Sequence, residues 1–251
     1  MTMISVVSVY NNQKILEACL LKGLASQNHD YQLILIDNTH QKFKSASEAL
    51  NHGADQAQGK YIIFAHQDVH LRSENFIQKL VEILDSLNHL GVAGIAGKRS
   101  NEKDIISKST EGHPPHKIGR SFTTSLPVQT VDECLFIIPR AQFQLNHFDE
   151  EVCDGWHLYA VDYSLSVAKH GYKTYLIPLE VHHQSPGYSF TREYYTILKR
   201  LIRKHRKDQS WINTTTENWS TRWPLSLQIN FKRLGWALTL LKKRLKKGIS
   251  P

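Results

Sequence analysis

The stretch YIIFAHQDVHL, residues 61–71, joins a short apolar run to a polar cluster, and this combination decides the fold. Residues 60–66 have the length and the apolar character of a buried β-strand. The chain leaves that strand with the pattern H-x-D-x-H, formed by His66, Asp68 and His70. Carboxylate and imidazole groups at this spacing can hold Mn²⁺ or Mg²⁺, or they can be solvated residues at a strand end. The surrounding sequence decides between these alternatives.

Strand-like and helix-like patterns alternate along the first half of the chain. Further strands are predicted at 3–10, 31–37 and 91–97, because these segments are short and apolar. Apolar residues at helical spacing predict three intervening helices: one beginning after Asn11 or Asn12, one ending at Gly59, and one over 73–87. This alternation is typical of a parallel sheet with right-handed crossovers. We therefore expect an α/β fold with a mostly parallel central sheet flanked by helices.

Polar side chains follow three of the predicted strands. Tyr10 and Asn11 follow the first strand, Asp37 and Asn38 follow the second, and the histidine cluster follows the third. In parallel sheets, ligands bind beyond the carboxyl ends of the strands. These residues are therefore predicted to lie along a ligand-binding edge.

The alternation is interrupted at 98–126, a segment rich in Lys, Ser, His, Gly and Pro. We expect a long mobile surface loop here, and long loops in compact domains are usually lids or binding loops. The pattern then resumes with four predicted elements: a strand at 131–140, a helix at 156–170, a strand at 173–178 and a basic helix at 191–207.

The bulk composition narrows the class of partner and the compartment. A net charge of +8 and a sequence pI near 9.3 favour a polyanionic partner, such as a phosphate-bearing substrate, an anionic membrane or nucleic acid. Cys19, Cys134 and Cys153 are odd in number and form no C-x-x-C pair, which argues against a disulfide framework and a thiolate zinc site. A reducing, cytoplasmic setting is the better expectation. No apolar run reaches the roughly 18 residues that a membrane span needs.

The segments ISVVSVYNN, LILIDN and ALNHGADQAQGKYIIFAHQDV together resemble the nucleotide-sugar half of the GT-A glycosyltransferases, in particular family 2. In that family the third strand ends in a D-x-D motif that binds the divalent cation of a sugar nucleotide. The resemblance places this motif at Asp68-Val69-His70, with histidine instead of the second acid. It implies Asp68 and His70 as ligands of Mn²⁺ or Mg²⁺, with His66 outside the coordination shell.

The resemblance also implies residues that bind the donor, among them Asp37, which would accept a hydrogen bond from a uracil imide N–H. Tyr10, Asn11 and Asn38 would line the base and the ribose. Asn51 and Gly53 match a segment that runs beneath the nucleotide in the family, and Gly59 lets the chain turn into the third strand. Two residues also have structural alternatives, since Asp37 could cap a helix and Asn51 could lie on a polar helix face.

The second half contains VDECLFIIPRAQF, FDEE and WHLYAVDYSLSVAKHGYKTYLIP, which resemble the acceptor-binding half of the same enzymes. An inverting transfer needs a carboxylate that takes the proton of the acceptor hydroxyl. Asp162 is the first candidate, followed by Asp154 and Glu133, although Asp162 could instead complement the dipole of its helix. Trp156 and His157 are expected to contact the acceptor or donor sugar.

A late histidine near the metal is a further implication of the resemblance, and His182 and His183 occupy that position. Two adjacent histidines on an extended chain cannot both face one ion, which favours His183. The resemblance thus divides the chain into three segments: a nucleotide-sugar-binding half (1–97), an acceptor-binding and catalytic half (98–190) and a basic helical extension (191–251).

The C-terminal extension has an apolar stripe and a basic face. The stripe comprises Leu227, Phe231, Leu234, Leu238, Leu241 and Leu245, with Trp236 nearby. Lysine and arginine residues surround it, as in helices that lie on an anionic membrane. We expect peripheral attachment to the inner face of the cell membrane, with packing of this helix on the domain as the alternative.

The leading interpretation is a metal-dependent, inverting glycosyltransferase that uses a nucleotide sugar, with UDP as the expected nucleotide. The expected acceptor is a glycan or a lipid-linked precursor of a bacterial surface polysaccharide. One alternative is a metallohydrolase that uses the H-x-D-x-H cluster. The other is a non-enzymatic basic module that binds membranes or nucleic acid, which would leave the acids at the strand ends unexplained. We therefore expect no nucleic-acid partner.

Overall fold

The computed structural model describes residues 4–100, 102–185 and 190–235. In chain order its strands are β1 (Ile4–Tyr10), β2 (Gln32–Asp37), β3 (Tyr61–Ala65), β4 (Val69–Leu71), β5 (Leu90–Gly94), β6 (Ala96–Lys98), β7 (Ile106–Ser107), β8 (Ser109–Glu111), β9 (His116–Lys117), β10 (Leu126–Val128), β11 (Thr130–Val131), β12 (Leu135–Pro139), β13 (Lys173–Leu176), β14 (Val181–His183), β15 (Trp211–Asn213) and β16 (Asn218–Ser220).

The helices follow the same alternation. Helix α1 (Gln13–Leu16) continues through a π-helical segment (Glu17–Leu21) into α2 (Lys22–Ala25). The others are α3 (Ala46–Ala54), α4 (Phe76–Ser86), α5 (Arg140–Leu145), α6 (Tyr159–Ala168), α7 (Arg192–His205) and a helix over 225–235, here α8. None of the described helices has the length and apolar character that crossing a bilayer requires.

A seven-stranded sheet in the order β10-β13-β5-β12-β3-β1-β2 forms the centre of the protein. Strand β1 pairs in parallel with β2 and β3, and β13 pairs in parallel with β5. Strand β12 is antiparallel to β3 and β5, and β10 is antiparallel to β13. Five of its strands therefore run in one direction, and β10 and β12 run in the other. This mixed α/β architecture confirms the fold class expected from the alternation.

Both faces of this sheet are buried, and the sequence of β3 shows why. Ile62 and Phe64 pack into one apolar layer, together with residues of α3, α6 and α7. Tyr61, Ile63 and Ala65 pack into the opposite layer, with residues of the α1–α2 helix and α4. Because successive side chains of a strand point to opposite faces, a sheet covered on both sides needs continuous apolar runs.

The prediction of a long loop at 98–126 is wrong in part. This segment contains β7, β8 and β9, and β10 at its end, and its residues Ile106 and Phe122 are buried. Strand β8 belongs to a four-stranded sheet in the order β4-β14-β8-β9. Strands of two or three residues are too short for an alternation of apolar and polar residues to reveal them.

Two predicted element boundaries also differ from the structure. Helix α3 ends at Ala54 with Asp55 as its C-cap, so Gly59 does not end it. The strand predicted at 131–140 is broken into β11 and β12, which belong to different sheets. The break falls on Asp132 and Glu133, whose side chains line the cleft described below.

The C-terminal region packs on α7 through a hairpin. Strands β15 and β16 pair antiparallel, and the indole N–H of buried Trp219 donates to the Tyr194 hydroxyl at 3.1 Å. Gln228 of α8 fixes this helix to the hairpin, because its amide accepts from the Ser220 N–H at 2.7 Å and donates to the Ser220 carbonyl at 2.9 Å. The hairpin thus connects α8 to the body of the protein.

Candidate active site

A cleft of about 1200 Å³ opens at the carboxyl ends of β1 and β3. Its wall includes residues that follow β1, β2 and β3, as the sequence predicted for this edge of the sheet. Of the residues proposed from the sequence, those lining the cleft are Tyr10, Asn11, Asn38, Asp68, Glu133, Trp156, His157 and His183. The cleft is therefore built from both halves of the chain.

Three side chains in the cleft form a cluster suited to a metal ion. One potential ligand atom from each of His66, Asp68 and His183 lies within 4.8 Å of the other two. Asp68 Oδ1 lies 3.3 Å from His183 Nε2, and Asp68 Oδ2 accepts a hydrogen bond from the Ser185 N–H at 3.2 Å. Two imidazoles and a carboxylate are competent ligands for Mn²⁺, so the residues present fit the predicted cation.

The predicted ligands His70 and His182 are not in this cluster. Strands β4 and β14 pair antiparallel with His70 opposite His182, and the two rings stack with centroids 6.0 Å apart. His183 is opposite Val69 in the same pairing and therefore points to the other face. The Val69 N–H donates a hydrogen bond to the His66 carbonyl and closes a tight turn. This turn brings His66, and not His70, close to Asp68.

Two members of the cluster, Asp68 and His66, are held in the protonation states that cation binding requires. Burial would lower the pKa of the third, His183, but the hydrogen bond and the charge of Asp68 raise it. Burial alone would raise the pKa of Asp68, but the hydrogen bond and the charge of His183 hold it below the usual value. Burial lowers the pKa of His66, and the neighbouring His183 lowers it further. A metal ligand must be a carboxylate or a neutral imidazole, so Asp68 and His66 are poised for coordination.

Glu133 is the predicted catalytic carboxylate that lies in the cleft. Its Oε1 is enclosed and has no hydrogen-bond partner among the described residues. Burial and the charge of Asp132 raise the pKa of Glu133 well above its usual value. Hydrogen bonds from the backbone N–H groups of 158–160 lower this pKa, but by less. A carboxylate with a raised pKa and an unused oxygen is suited to accept a proton.

Asp162 and Asp154, the other predicted bases, do not line the cleft. Asp162 is 2% exposed, and its oxygens accept hydrogen bonds from Lys204 Nζ and His205 Nε2, each at 2.7 Å. Asp154 forms an ion pair with Arg200. Asp162 lies in the first turn of α6, but its side chain faces α7, so both acids connect α7 to the body of the protein.

The end of β1 is fixed to the end of β3 by a residue that sequence reasoning missed. Gln67 accepts from the N–H groups of Asn11 and Asn12 at 3.1 and 2.9 Å, and it donates to Asn11 Oδ1 at 2.7 Å. Asn38 also lines the cleft, but its amide exchanges hydrogen bonds with the backbone of Phe43. Its side chain thus shapes the loop after β2.

Asp37 lies beside the cleft and is not among the residues lining it. It is exposed, and its Oδ1 accepts from the N–H and the hydroxyl of Thr39 at 2.8 and 2.7 Å. The backbone and side-chain hydrogen bonds from Thr39 lower the pKa of Asp37. In this structure Asp37 stabilises the turn after β2.

Asn51, Gly53 and Gly59 also lie outside the cleft wall. The Asn51 amide exchanges hydrogen bonds with the backbone of Phe148 at 3.0 Å, which fixes α3 to the segment before α6. A Cβ on Gly53 would lie 2.7 Å from Val7 Cγ1, and one on Gly59 would lie 2.5 Å from the backbone of β1. In this structure the two glycines permit close packing, and Asn51 joins α3 to a neighbouring segment.

Trp156 and His157 line the cleft, as the sequence predicted. The Trp156 side chain is 40% exposed, and its backbone N–H donates to Glu193 Oε2 at 3.3 Å. His157 Nε2 lies 3.7 Å from the same carboxylate, and burial lowers the His157 pKa. An exposed indole at the mouth of a polar cleft offers an apolar face to a ligand.

Sequence reasoning also missed several polar residues that complete the cleft. The Tyr159 hydroxyl lies 2.9 Å from His66 Nε2, and the Thr215 hydroxyl donates to Asp132 Oδ2 at 2.5 Å. Glu111 of β8 adds a carboxylate whose pKa is raised by burial and by Asp132. These residues come from segments far apart in the chain, so no local sequence pattern could identify them.

The chain is similar to a known protein family and to several solved structures. A family model described as "Glycosyltransferase like family" matches residues 5–205. The curated protein "ATP synthase subunits region ORF 6" of Fuscovulum blasticum is 24% identical over 159 residues, which cover 61% of this chain and 62% of that protein.

Solved structures with the same fold include three glycosyltransferase complexes. GalNAc-T7 with UDP, GalNAc and Mn²⁺ has a TM-score of 0.58 at 15% identity, covering 82% of this chain and 48% of that one. S. aureus TarS 1-349 with UDP-GlcNAc has a TM-score of 0.55 at 14% identity, covering 81% and 66%. The mannosyltransferase PcManGT from Pyrobaculum calidifontis with GDP-Man and Mn²⁺ has a TM-score of 0.55 at 14% identity, covering 82% and 65%.

The chain thus spans less than two thirds of the length of each of these four proteins. At such low identity the structural likeness shows the fold alone. The family match covers most of the chain, including the cluster of His66, Asp68 and His183 and helix α6. This chain therefore belongs to the glycosyltransferase-like family and has the GT-A fold.

Proposed function

We propose that this protein is a metal-dependent, inverting glycosyltransferase that transfers a sugar from a nucleotide sugar to a hydroxyl group of an acceptor. The observation that carries the proposal is one cleft holding both the His66, Asp68 and His183 cluster and the carboxylate of Glu133. The cluster is suited to bind a cation, and the Glu133 carboxylate is suited to accept a proton. Displacement of a diphosphate by a hydroxyl group requires both.

A nucleotide sugar is the donor best supported by the cleft and by the family. Solved structures of the same fold are complexes with UDP-GlcNAc or with GDP-Man and Mn²⁺. Tyr10 and Asn11, at the end of β1, lie on the wall where ligands of parallel sheets bind. We assign UDP as the nucleotide, and a glycan or a lipid-linked precursor of a surface polysaccharide as the acceptor.

The residues that would hold Mn²⁺ or Mg²⁺ are Asp68, His66 and His183. When bound, the cation supplies Lewis-acid stabilisation of the negative charge on the leaving diphosphate. Asp68 contributes the ligand charge, and the Ser185 N–H orients its second oxygen. The Tyr159 hydroxyl, 2.9 Å from His66, fixes the orientation of that ring.

Glu133 would act as the general base. As the acceptor oxygen attacks the anomeric carbon, its proton passes to Glu133 and the bond between the anomeric carbon and the diphosphate oxygen breaks. The nucleoside diphosphate leaves with the bonding electron pair. Attack from the side opposite the leaving group inverts the anomeric configuration.

Thermal shift with UDP, GDP and TDP, each with and without Mn²⁺, tests this proposal. We expect one nucleotide to raise the midpoint in a metal-dependent manner, because ligands that bind only the folded state stabilise it. Asp68→Ala and His66→Ala should abolish that increase, and His70→Ala is the matched control that should retain it. The proposal fails if no nucleotide diphosphate stabilises the protein or if Asp68→Ala leaves the increase intact.

We further propose that the protein binds the cytoplasmic face of the membrane through α8. Leu227, Phe231 and Leu234 of this helix are 45%, 68% and 58% exposed, as an interfacial helix requires. The predicted stripe residues Leu238, Leu241 and Leu245, together with Trp236, lie outside the described residues. Lys232 pairs with Glu217 at 2.9 Å, which anchors α8 to the hairpin.

Sedimentation with vesicles tests membrane binding. The double variant Phe231→Ser, Leu234→Ser should bind phosphatidylglycerol vesicles less than the wild type, because it removes exposed apolar surface. Leu33→Ser, Leu35→Ser on β2 is the matched control, since Leu33 and Leu35 are each 37% exposed and lie far from α8 in the chain. Equal binding by both double variants would contradict an interfacial role for α8.

A further inference from the structure

A second pocket, of about 440 Å³, lies between α7 and α8 and shares no residue with the cleft. Its lining residues are Phe190, Arg192, Tyr195, Thr196, Lys199 and Arg233. Four of them, at 192, 195, 196 and 199, follow the i, i+3, i+4, i+7 spacing of one helix face. This is the less buried face of α7, because the fully buried apolar side chains of the helix lie at Tyr194, Ile197, Leu198 and Leu201.

The charge in this pocket is unbalanced. Three of the six lining residues are cations, and none of the six is an acid. Elsewhere on α7 and α8, Arg200, Lys204 and Lys232 form ion pairs with carboxylates. Across the part of the chain that the structure describes, Arg192, Lys199 and Arg233 form no ion pair.

The walls of the pocket are partly aromatic and well ordered by packing. The rings of Phe190 and Tyr195 stack with centroids 6.2 Å apart, and Tyr195 packs edge-on against buried Trp219 at 6.1 Å. The positive charge of Arg233 counteracts the effect of burial on the pKa of Tyr195, so Arg233 lies close to this ring. A partly aromatic wall with three exposed cations is a suitable receptor for a compact anion.

We propose that this pocket binds a phosphate group, carried either by the head group of an anionic phospholipid or by a soluble phosphate ester. Guanidinium groups match phosphate oxygens in geometry, and the ammonium of Lys199 adds a further donor. Phe231 and Leu234 are exposed on the same helix as Arg233, so apolar surface is present elsewhere on α8. This site is independent of glycosyl transfer in the cleft.

Charge-matched triple variants of the full chain test the site. The pocket variant is Arg192→Gln, Lys199→Gln, Arg233→Gln, and the control is Lys14→Gln, Lys79→Gln, Lys173→Gln, which removes the same charge from exposed positions elsewhere. The first arm measures the midpoint of thermal unfolding against inorganic phosphate, with potassium chloride keeping the ionic strength constant. The second arm measures sedimentation with phosphatidylcholine vesicles that contain or lack phosphatidylglycerol.

The pocket variant should bind about tenfold or more weakly than the control in at least one arm, since each basic residue near an anionic surface contributes measurably to binding. A loss in both arms identifies a lipid head group as the ligand, and a loss with phosphate alone identifies a soluble ester. Phosphate binding in the cleft is unchanged in both variants and cancels in the comparison. Equal affinities of the two variants in both arms would overturn the proposal, whatever the outcome for nucleotide binding.

Discussion

Glu133, at the N-terminal end of helix α6, and Asp162, within that helix, are two carboxylates that differ in how their oxygens are used. Asp162 accepts hydrogen bonds from Lys204 and His205, so both of its oxygens have partners. Glu133 has one oxygen without a partner among the described residues, and it lies on the wall of the cleft. The difference shows that a buried acid with complete hydrogen bonding stabilises the fold, whereas one with unused capacity beside a cleft is available for chemistry.

The largest expected effect is on catalysis by Glu133→Gln. This variant keeps the size and polarity of the side chain but cannot accept the proton of the acceptor hydroxyl. We expect kcat to fall by about 10³-fold, within the range typical of general-base catalysis, while the nucleotide-dependent thermal shift is retained. Steady-state kinetics with a nucleotide sugar measure this change. A kcat within a few-fold of the wild-type value would remove Glu133 from the mechanism.

The sequence predicted the central sheet because its strands are long enough to show a pattern. Strands β1, β2 and β3 are five to seven residues long, and both their apolar character and the polar residues after them could be read directly. The cleft edge followed from the parallel arrangement alone. The sequence therefore predicted the end of the sheet at which the cleft lies.

The roles of individual residues depended on contacts that no sequence pattern encodes. Which histidine joins Asp68 is decided by the turn after β3 and by the pairing of β4 with β14, and β14 lies more than 100 residues later. The sequence could not show that Asp162 is paired with Lys204 and His205, because both partners lie on another helix. Glu133 lies in a segment whose pattern predicts one continuous strand, whereas in the structure the break between β11 and β12 places it on the cleft wall.

The second largest effect is expected on stability from Asp162→Asn. The substitution removes the carboxylate that Lys204 and His205 share. Lys204 keeps its ion pair with Asp149, whereas His205 is fully buried. Breaking a buried ion pair by removing one partner costs about 3–5 kcal/mol. Urea denaturation should therefore show a loss of this size in the free energy of unfolding. Activity per folded molecule should be unchanged, and a specific loss of kcat would show that Asp162 also acts in catalysis.

A smaller effect is expected on stability from Glu133→Gln, with the opposite sign. The folded-state pKa of Glu133 lies above its usual value, so the ionised carboxylate destabilises the folded state once the pH exceeds the pKa of unfolded Glu. At pH 7 the Gln variant should be more stable by roughly 1–2 kcal/mol, as is common when a strained functional group is removed. The gain should disappear at low pH, where both side chains are neutral. Denaturation at several pH values measures it, and a gain independent of pH would contradict this origin.

The smallest effect is expected from Asp154→Asn, which completes the comparison with an exposed acid. Asp154 pairs with Arg200, and their side chains are 48% and 33% exposed, so water screens the interaction. Ion pairs of this kind contribute about 1 kcal/mol or less. Both Asp154 and Asp162 connect to α7, so the two Asn variants differ mainly in the burial of the pair they break. A loss from Asp154→Asn as large as that from Asp162→Asn would show that the connection to α7, and not burial, determines the cost.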